Sequence, residues 1–275
     1  MLAAMPRFAA NLSTLLTEVP FAARFGAARE LGFRAVEYLF PYDVPPRTLR
    51  DLLDEAGLEL VLINTAPGER AAGEFGLAAL PGREAEFHDQ FEQALDYAET
   101  LGAAMIHVMA GVVPPDVGRD RCAAVFVDNL RTAATRARKR RIRLLLEPLN
   151  WRDVPGYLHA TAAETRALIE QIGHANVQLQ FDCYHLQITQ GNLGASLREN
   201  LDHIGHVQFS SVPGRHEPQH GEVNMPWLFE LLDALGYRGW VGCEYTPKTT
   251  TAAGLDWGAA YGLGPRAKRG GNPSQ

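Results

Sequence analysis

The sequence predicts an α/β fold, a single-domain (β/α)8 TIM barrel. Short apolar, β-compatible runs alternate with amphipathic helical segments along nearly the whole chain, and the strand count reaches eight. The 275 residues suffice for one barrel of about 250 residues with a short tail. Four of the later strands end in an oxygen-bearing side chain: Glu147, Asp182, Gln208 and Glu244.

In chain order, residues 8–13 are the first predicted strand and 21–31 an amphipathic helix stopped by Gly32. Residues 35–38 follow as the second strand. The helix over 46–56 has Pro45 and Pro46 at its start and Gly57 past its end, which is how helices begin and stop. LELVLIN, 58–64, is the third strand. Residues 65–83 form a Gly- and Pro-bearing connection with little periodicity, longer than a structural loop needs, which predicts a lid or an active-site wall and the first candidate mobile element.

A long helix over 84–101 leads to the fourth strand, 104–109, which contains His107. The helix over 120–141 ends in Arg136, Arg138, Lys139, Arg140 and Arg141. Cations at a helix C-terminus complement its dipole, so this run reads as a solvated face. Ile142 to Leu146 is a strand buried on both faces, ending in Glu147 and closed by Pro148, which cannot donate to a ladder. Helix 162–172, strand 177–181, helix 193–203, strand 206–209, helix 226–235 and strand 239–243 complete the alternation. The barrel is assigned to residues 1–263, and GPRAKRGGNPSQ, 264–275, to a flexible C-terminal tail.

A formal charge of −6 leaves no basic footprint, so nucleic acid and anionic membranes are disfavoured as partners. No segment approaches the length of a membrane span. Cys122, Cys183 and Cys243 have no CxxC spacing, which suits a reducing compartment, and Arg7, Asn11 and Ser13 interrupt any leader-like N-terminal run. Cytoplasmic localisation is the expectation.

In a barrel the C-terminal ends of the strands converge on one mouth, so the three carboxylates and one amide would meet there. Unpaired carboxylates that close repel one another and need a proton or a cation, and a divalent metal is the economical answer. Hard oxygen ligands select Mg²⁺ or Mn²⁺. A single carboxylate at a strand end is more often a helix cap or an ion-pair partner, so it is the set of four that points to function.

EPLN around Glu147, QLQFDCYHLQ around Asp182, GHVQ around Gln208, PGRHEPQHGEVN from Pro213 and GWVGCEY around Glu244 together resemble the hydroxypyruvate isomerase family of xylose-isomerase-like barrels. The likeness spans nearly the whole chain, through AANLS, NTAPGE, LPGRE and HVMAG. It implies Glu147, Asp182, Gln208 and Glu244 as metal ligands, Glu147 and Glu244 as the proton-handling pair, and His185 and Arg215 as substrate contacts. Trp151, Ser210-Ser211-Val212 and Thr246 depart from the family's pattern on the pocket rim, where substrate choice is made.

The chemistry stands beside the resemblance. Moving a proton between the adjacent carbons of a hydroxy-oxo compound passes through an enediolate whose oxygens need a cation, and two carboxylates with a metal suffice. The expected reaction is metal-dependent isomerisation of a small hydroxy-oxo acid, hydroxypyruvate with tartronate semialdehyde. A 2-oxo-tetronate isomerase or a ketose epimerase would use the same site. A metal-dependent phosphodiester hydrolase and a non-catalytic sugar-acid binding module are the rival classes. His107 and His206, within apolar strands, read as core groups or as supports for the ligands. Glu217 and Glu222 receive no chemical role, and Phe40, Trp151, Tyr184 and Trp257 are candidate pocket walls. Barrels of this type often dimerise or tetramerise, and the sequence leaves the oligomeric state open.

Overall fold

The computed structural model describes residues 6–265, so the predicted tail falls outside the described residues except for Gly264 and Pro265. The order is β1 (Arg7–Asn11), α1 (Phe21–Glu30), β2 (Ala35–Glu37), α2 (Pro46–Ala56), β3 (Glu59–Leu60), β4 (Leu62–Asn64), α3 (Glu84–Leu101), β5 (Met105–His107) and α4 (Arg119–Lys139). It continues with β6 (Arg143–Leu146), α5 (Ala162–Ile172), β7 (Val177–Asp182), α6 (Cys183–Thr189), α7 (Leu193–Asn200), β8 (Ile204–Phe209), α8 (Met225–Ala234), β9 (Trp240–Cys243) and α9 (Thr251–Gly254).

All strand pairs are parallel, in the order β3-β2-β1-β9-β8-β7-β6-β5-β4. The predicted third strand is divided at Val61: β3 pairs with β2, and β4 pairs with β5. Backbone bonds from Tyr38 N–H to Leu62 and from Asn64 N–H to Leu39 carry the second half along the continuation of β2, at the seam where the barrel closes. The predicted TIM barrel is therefore present, with one of its eight strands interrupted.

Local chemistry explains most boundaries. Gly57, at φ 61°, caps α2 in the left-handed region that favours glycine. Thr161 and Glu164 form a reciprocal capping box at the start of α5. The cationic end of α4 is tied to α3 by Arg136 with Glu92 (2.7 Å) and by Arg140 with Asp96 (2.5 Å) and Glu99 (3.1 Å), on the outer surface. Cys122, Cys183 and Cys243 are buried and free. No described helix is long and apolar enough to cross a membrane.

Side chains alternate between the two faces of each strand, and this sorts the barrel interior into layers. Ala9, Ala35, Val61, Leu62, Met105 and Leu145 form an apolar plug. One alternation further along the strands stand Asn11, Glu37, His107 and Asp182, with Glu147 and Glu244 directly after β6 and β9. Gly242 has no side chain because a Cβ there would meet Glu37 Oε1 at 2.4 Å. The outward face of the strands packs against the helices in the main apolar core.

Candidate active site

The mouth holds a cavity of about 370 Å³ lined by Glu147, His185, Arg215 and Glu244, with Asn64, His107 and Asp153 among its other polar walls. Ligand oxygens or nitrogens of Glu147, Asp182 and His185 all lie within 4.8 Å of one another. Asp182 divides its work between its two oxygens. Oδ1 accepts from Tyr184 N–H at 2.8 Å and starts α6, whereas buried Oδ2 has no hydrogen-bond partner. His185 Nε2 is 3.7 Å from that oxygen.

The His185 tautomer follows from its neighbours. Asn150 presents its backbone N–H at 3.1 Å and its side-chain amide at 2.8 Å to Nδ1, so Nδ1 accepts and Nε2 carries the proton toward the cavity. Burial, then the Arg215 charge and His107, hold the imidazole neutral by lowering its pKa well below the usual value.

Arg215, in the left-handed region at φ 52°, is threaded among the carboxylates. It donates to Glu244 Oε1 at 2.9 Å, lies 3.9 Å from Asp182 and 4.0 Å from Asp153, and rests over the Tyr184 ring at 4.8 Å. Burial opposes its charge, but Glu244, Asp182 and Glu147 more than offset this and raise its pKa. Arg215 is thus engaged by the acidic cluster.

Gln208 lies beside Asp182 in the β7/β8 register but is turned into the layer beneath. Its amide N–H donates to Glu37 Oε1 at 2.7 Å, and its carbonyl accepts from Gln180 at 2.5 Å. Glu37 also accepts from Asn11 at 3.1 Å and stands 2.7 Å from His206 Nε2. Glu37 therefore organises a buried polar layer. The signal for it lies in AVEY, a short apolar run ending in a carboxylate, the same pattern as at Glu147. His107, also within a strand, stands 3.3 Å from Glu147 Oε2, and burial lowers its pKa to about 3.

Other named residues divide cleanly. Phe40 lines the cavity and Tyr184 supports Arg215. Trp257 packs on Phe8 and Phe209, and Trp151 is half exposed at 51%. Glu217 is buried and accepts from Lys248 N–H, while Glu222 accepts from Gln187. Thr14, Arg70, Phe75, Met109 and Asp153 also line the cavity and were not singled out in the sequence.

The electrostatics give a pH dependence. Burial first, then the charges of Glu244 and Asp182, push Glu147 well above the ordinary carboxylate range, against Arg215. Burial pushes Glu244 up from 4.5 to about 8, again against Arg215. Between these values the folded chain holds a proton on Glu244 that the unfolded chain has released, so stability falls as pH rises toward 8, while the neutral His107 and His185 act in the opposite sense only below the ordinary histidine value of about 6.5. In chelator-treated protein the melting temperature should fall from pH 7 to 8 at constant ionic strength, and Glu244→Gln should flatten the slope. A melting temperature that rises over that range contradicts this arrangement.

Comparison with known proteins follows the same geometry. A profile described as "Xylose isomerase-like TIM barrel" matches residues 25–261. A 2-oxo-tetronate isomerase of Cupriavidus necator is 51% identical over 257 residues, covering 94% of this chain and 99% of that protein. The hydroxypyruvate isomerase of Escherichia coli K12 is 43% identical over 257 residues, covering 94% and 100%. A crystal structure described as AP endonuclease, family 2, from Brucella melitensis matches with a TM-score of 0.92 at 46% identity, covering 94% and 99%. The chain belongs to the xylose isomerase-like TIM barrel family and is an isomerase.

Proposed function

We propose that the chain interconverts small hydroxy-oxo acids by moving a proton between adjacent carbons through an enediolate. Hydroxypyruvate with tartronate semialdehyde and the four-carbon 2-oxo-tetronates are the candidate substrates; hydroxypyruvate and 2-oxo-tetronate also stand in the names of its relatives. The observation that carries this reading is the pair Glu147 and Glu244, both buried and both facing one cavity. Two carboxyls facing one cavity can remove a carbon-bound proton and return one.

We further propose a divalent cation, Mg²⁺ or Mn²⁺. The partnerless Asp182 Oδ2, with Glu147 in reach, fits such an ion, and so does the mutual repulsion of the carboxylates. Glu147, Asp182 and Glu244 would hold it, with Gln208 joining where its carbonyl is released from Gln180. When bound, the ion supplies positive charge to the enediolate oxygens.

The chain's own groups then divide the remaining work. One of Glu147 and Glu244 takes the proton from carbon and the other gives one to the neighbouring carbon, while the hydroxyl proton passes from one substrate oxygen to the other. His185 Nε2–H donates to a substrate oxygen. Arg215 fixes Glu244 and moderates the negative field around it. A phosphodiester hydrolase, which the description of the Brucella relative raises, asks for a histidine-rich metal cluster and a basic groove, and the group gathered here is two carboxylates and one histidine.

The test is to give ion-supplemented protein hydroxypyruvate and a 2-oxo-tetronate separately and follow products by NMR. Conversion of at least one pair is expected. Binding of both without conversion would instead support the binding-module reading, and conversion of neutral ketoses alone would move the assignment to an epimerase.

A further inference from the structure

Two arginines line the site cavity, Arg215 and Arg70. Arg215 is committed to Glu244, with Asp182 and Asp153 close by. Arg70 is different. Among the described residues no carboxylate lies within 4.0 Å of it, and its guanidinium lies over the Phe75 ring at 4.6 Å. It is exposed, and both Arg70 and the Phe75 ring beneath its guanidinium belong to the cavity lining.

The connection that carries Arg70 is buttressed. Residues 70–72 form a short 3₁₀ turn whose start is capped by Glu69 accepting from Ala71 N–H at 3.1 Å. Glu74 accepts from Glu69 N–H at 2.6 Å and pairs with Arg83, so the acidic neighbours on this segment are occupied. Gly76 N–H bonds to Pro67 at 2.7 Å, and Gly76 bridges Ala110 next to β5. Leu77, Ala78 and Ala79 are buried. The segment from 65 to 83 is thus an anchored wall that presents one uncommitted cation to the cavity.

A hydroxy-oxo acid brings a carboxylate into a mouth already crowded with acids. That group, bonded directly to one of the two reacting carbons, needs a cation not shared with the proton-transfer pair. Arg can grip a carboxylate through two parallel N–H donors, and an aromatic face below it restricts its orientation. We propose that Arg70, braced by Phe75, receives the substrate carboxylate and sets the preference for acids over neutral sugars. This rests on the hydroxy-oxo acid reading and names the specificity determinant of that site.

The experiment compares wild type with Arg70→Gln and Arg70→Lys in two assays. In turnover of hydroxypyruvate, Arg70→Gln should raise KM by roughly 10- to 100-fold, the loss of one charge-assisted contact, with kcat nearly unchanged and Arg70→Lys recovering part. In calorimetry, D-glycerate, which keeps the carboxylate but has no oxo group, should lose affinity by a similar factor, while uncharged dihydroxyacetone should bind both proteins alike. Unchanged affinity for hydroxypyruvate and glycerate in Arg70→Gln overturns the proposal. An equal loss for dihydroxyacetone, or a fall in kcat together with melting temperature, overturns it too by assigning Arg70 a structural role. If wild type turns over no oxo acid, the functional reading fails, while the glycerate titration still decides the role of Arg70.

Discussion

Glu147→Gln and Glu244→Gln should each lower kcat by roughly 10²- to 10⁴-fold, the usual contribution of a positioned acid or base, while leaving the barrel folded. Glutamine keeps the shape of the side chain but cannot carry the proton. Because each carboxylate is buried and strained by its acidic neighbours, removing one charge should hold or raise the melting temperature of chelator-treated protein at pH 8. Activity and stability are therefore expected to move in opposite directions, a signature that a merely structural glutamate does not give. Near-normal turnover in either purified variant would remove that residue from the proton-transfer pair.

Chelation is the second large effect expected. Treatment with EDTA should abolish turnover, and Mn²⁺ or Mg²⁺ should restore it and raise the melting temperature. An ion at one hundred times its Kd stabilises the fold by about 2.7 kcal/mol, enough for a clear thermal shift. Asp182→Asn is the informative control. Asparagine still accepts from Tyr184 N–H and so preserves the start of α6, while the partnerless oxygen loses its charge. The variant should fold, bind Mn²⁺ at least tenfold more weakly and lose activity. An unchanged melting temperature on adding either ion, with turnover persisting in EDTA, would separate the chemistry from metal.

The parts of the fold that local chemistry determines were legible. Pro46 and Gly57 bracket α2 at the predicted residues, and the helices over 84–101 and 162–172 also appear as predicted. Apolar runs closed by Glu147, Asp182, Gln208 and Glu244 do lie side by side at one end of the sheet, because parallel strands repeat one polarity. The division at Val61 was not legible, since LELVLIN has no proline or glycine to mark it and the cause lies in two different neighbours. Nor was α6, a seven-residue helix too short for a periodic signal and capped by the same Asp182 that stands beside Glu147 and His185.

Long-range partners were hidden for a different reason. Glu37 and Gln208 are 171 positions apart, and only barrel closure brings them to 2.7 Å. The sequence shows that Gln208 has an oxygen to offer but not that Gln180 is its neighbour. Arg70 is likewise an ordinary exposed arginine until the anchoring of residues 65–83 aims it at the mouth. His107 was read as a supporting group, and its place 3.3 Å from Glu147 fits that reading while also putting it on the cavity wall.

The central claim, that two separate glutamates move the proton, is tested most directly by running the ion-supplemented enzyme on hydroxypyruvate in D₂O and following deuterium at the substrate carbons by NMR. If one carboxylate removes the proton and the other returns one, the isomerised product gains solvent deuterium at the receiving carbon, and Glu147→Gln and Glu244→Gln both lose that incorporation. Product that forms at the normal rate but carries no deuterium would mean that the same hydrogen is carried from one carbon to the other, by a single shielded carboxyl or by direct transfer, and would contradict the account.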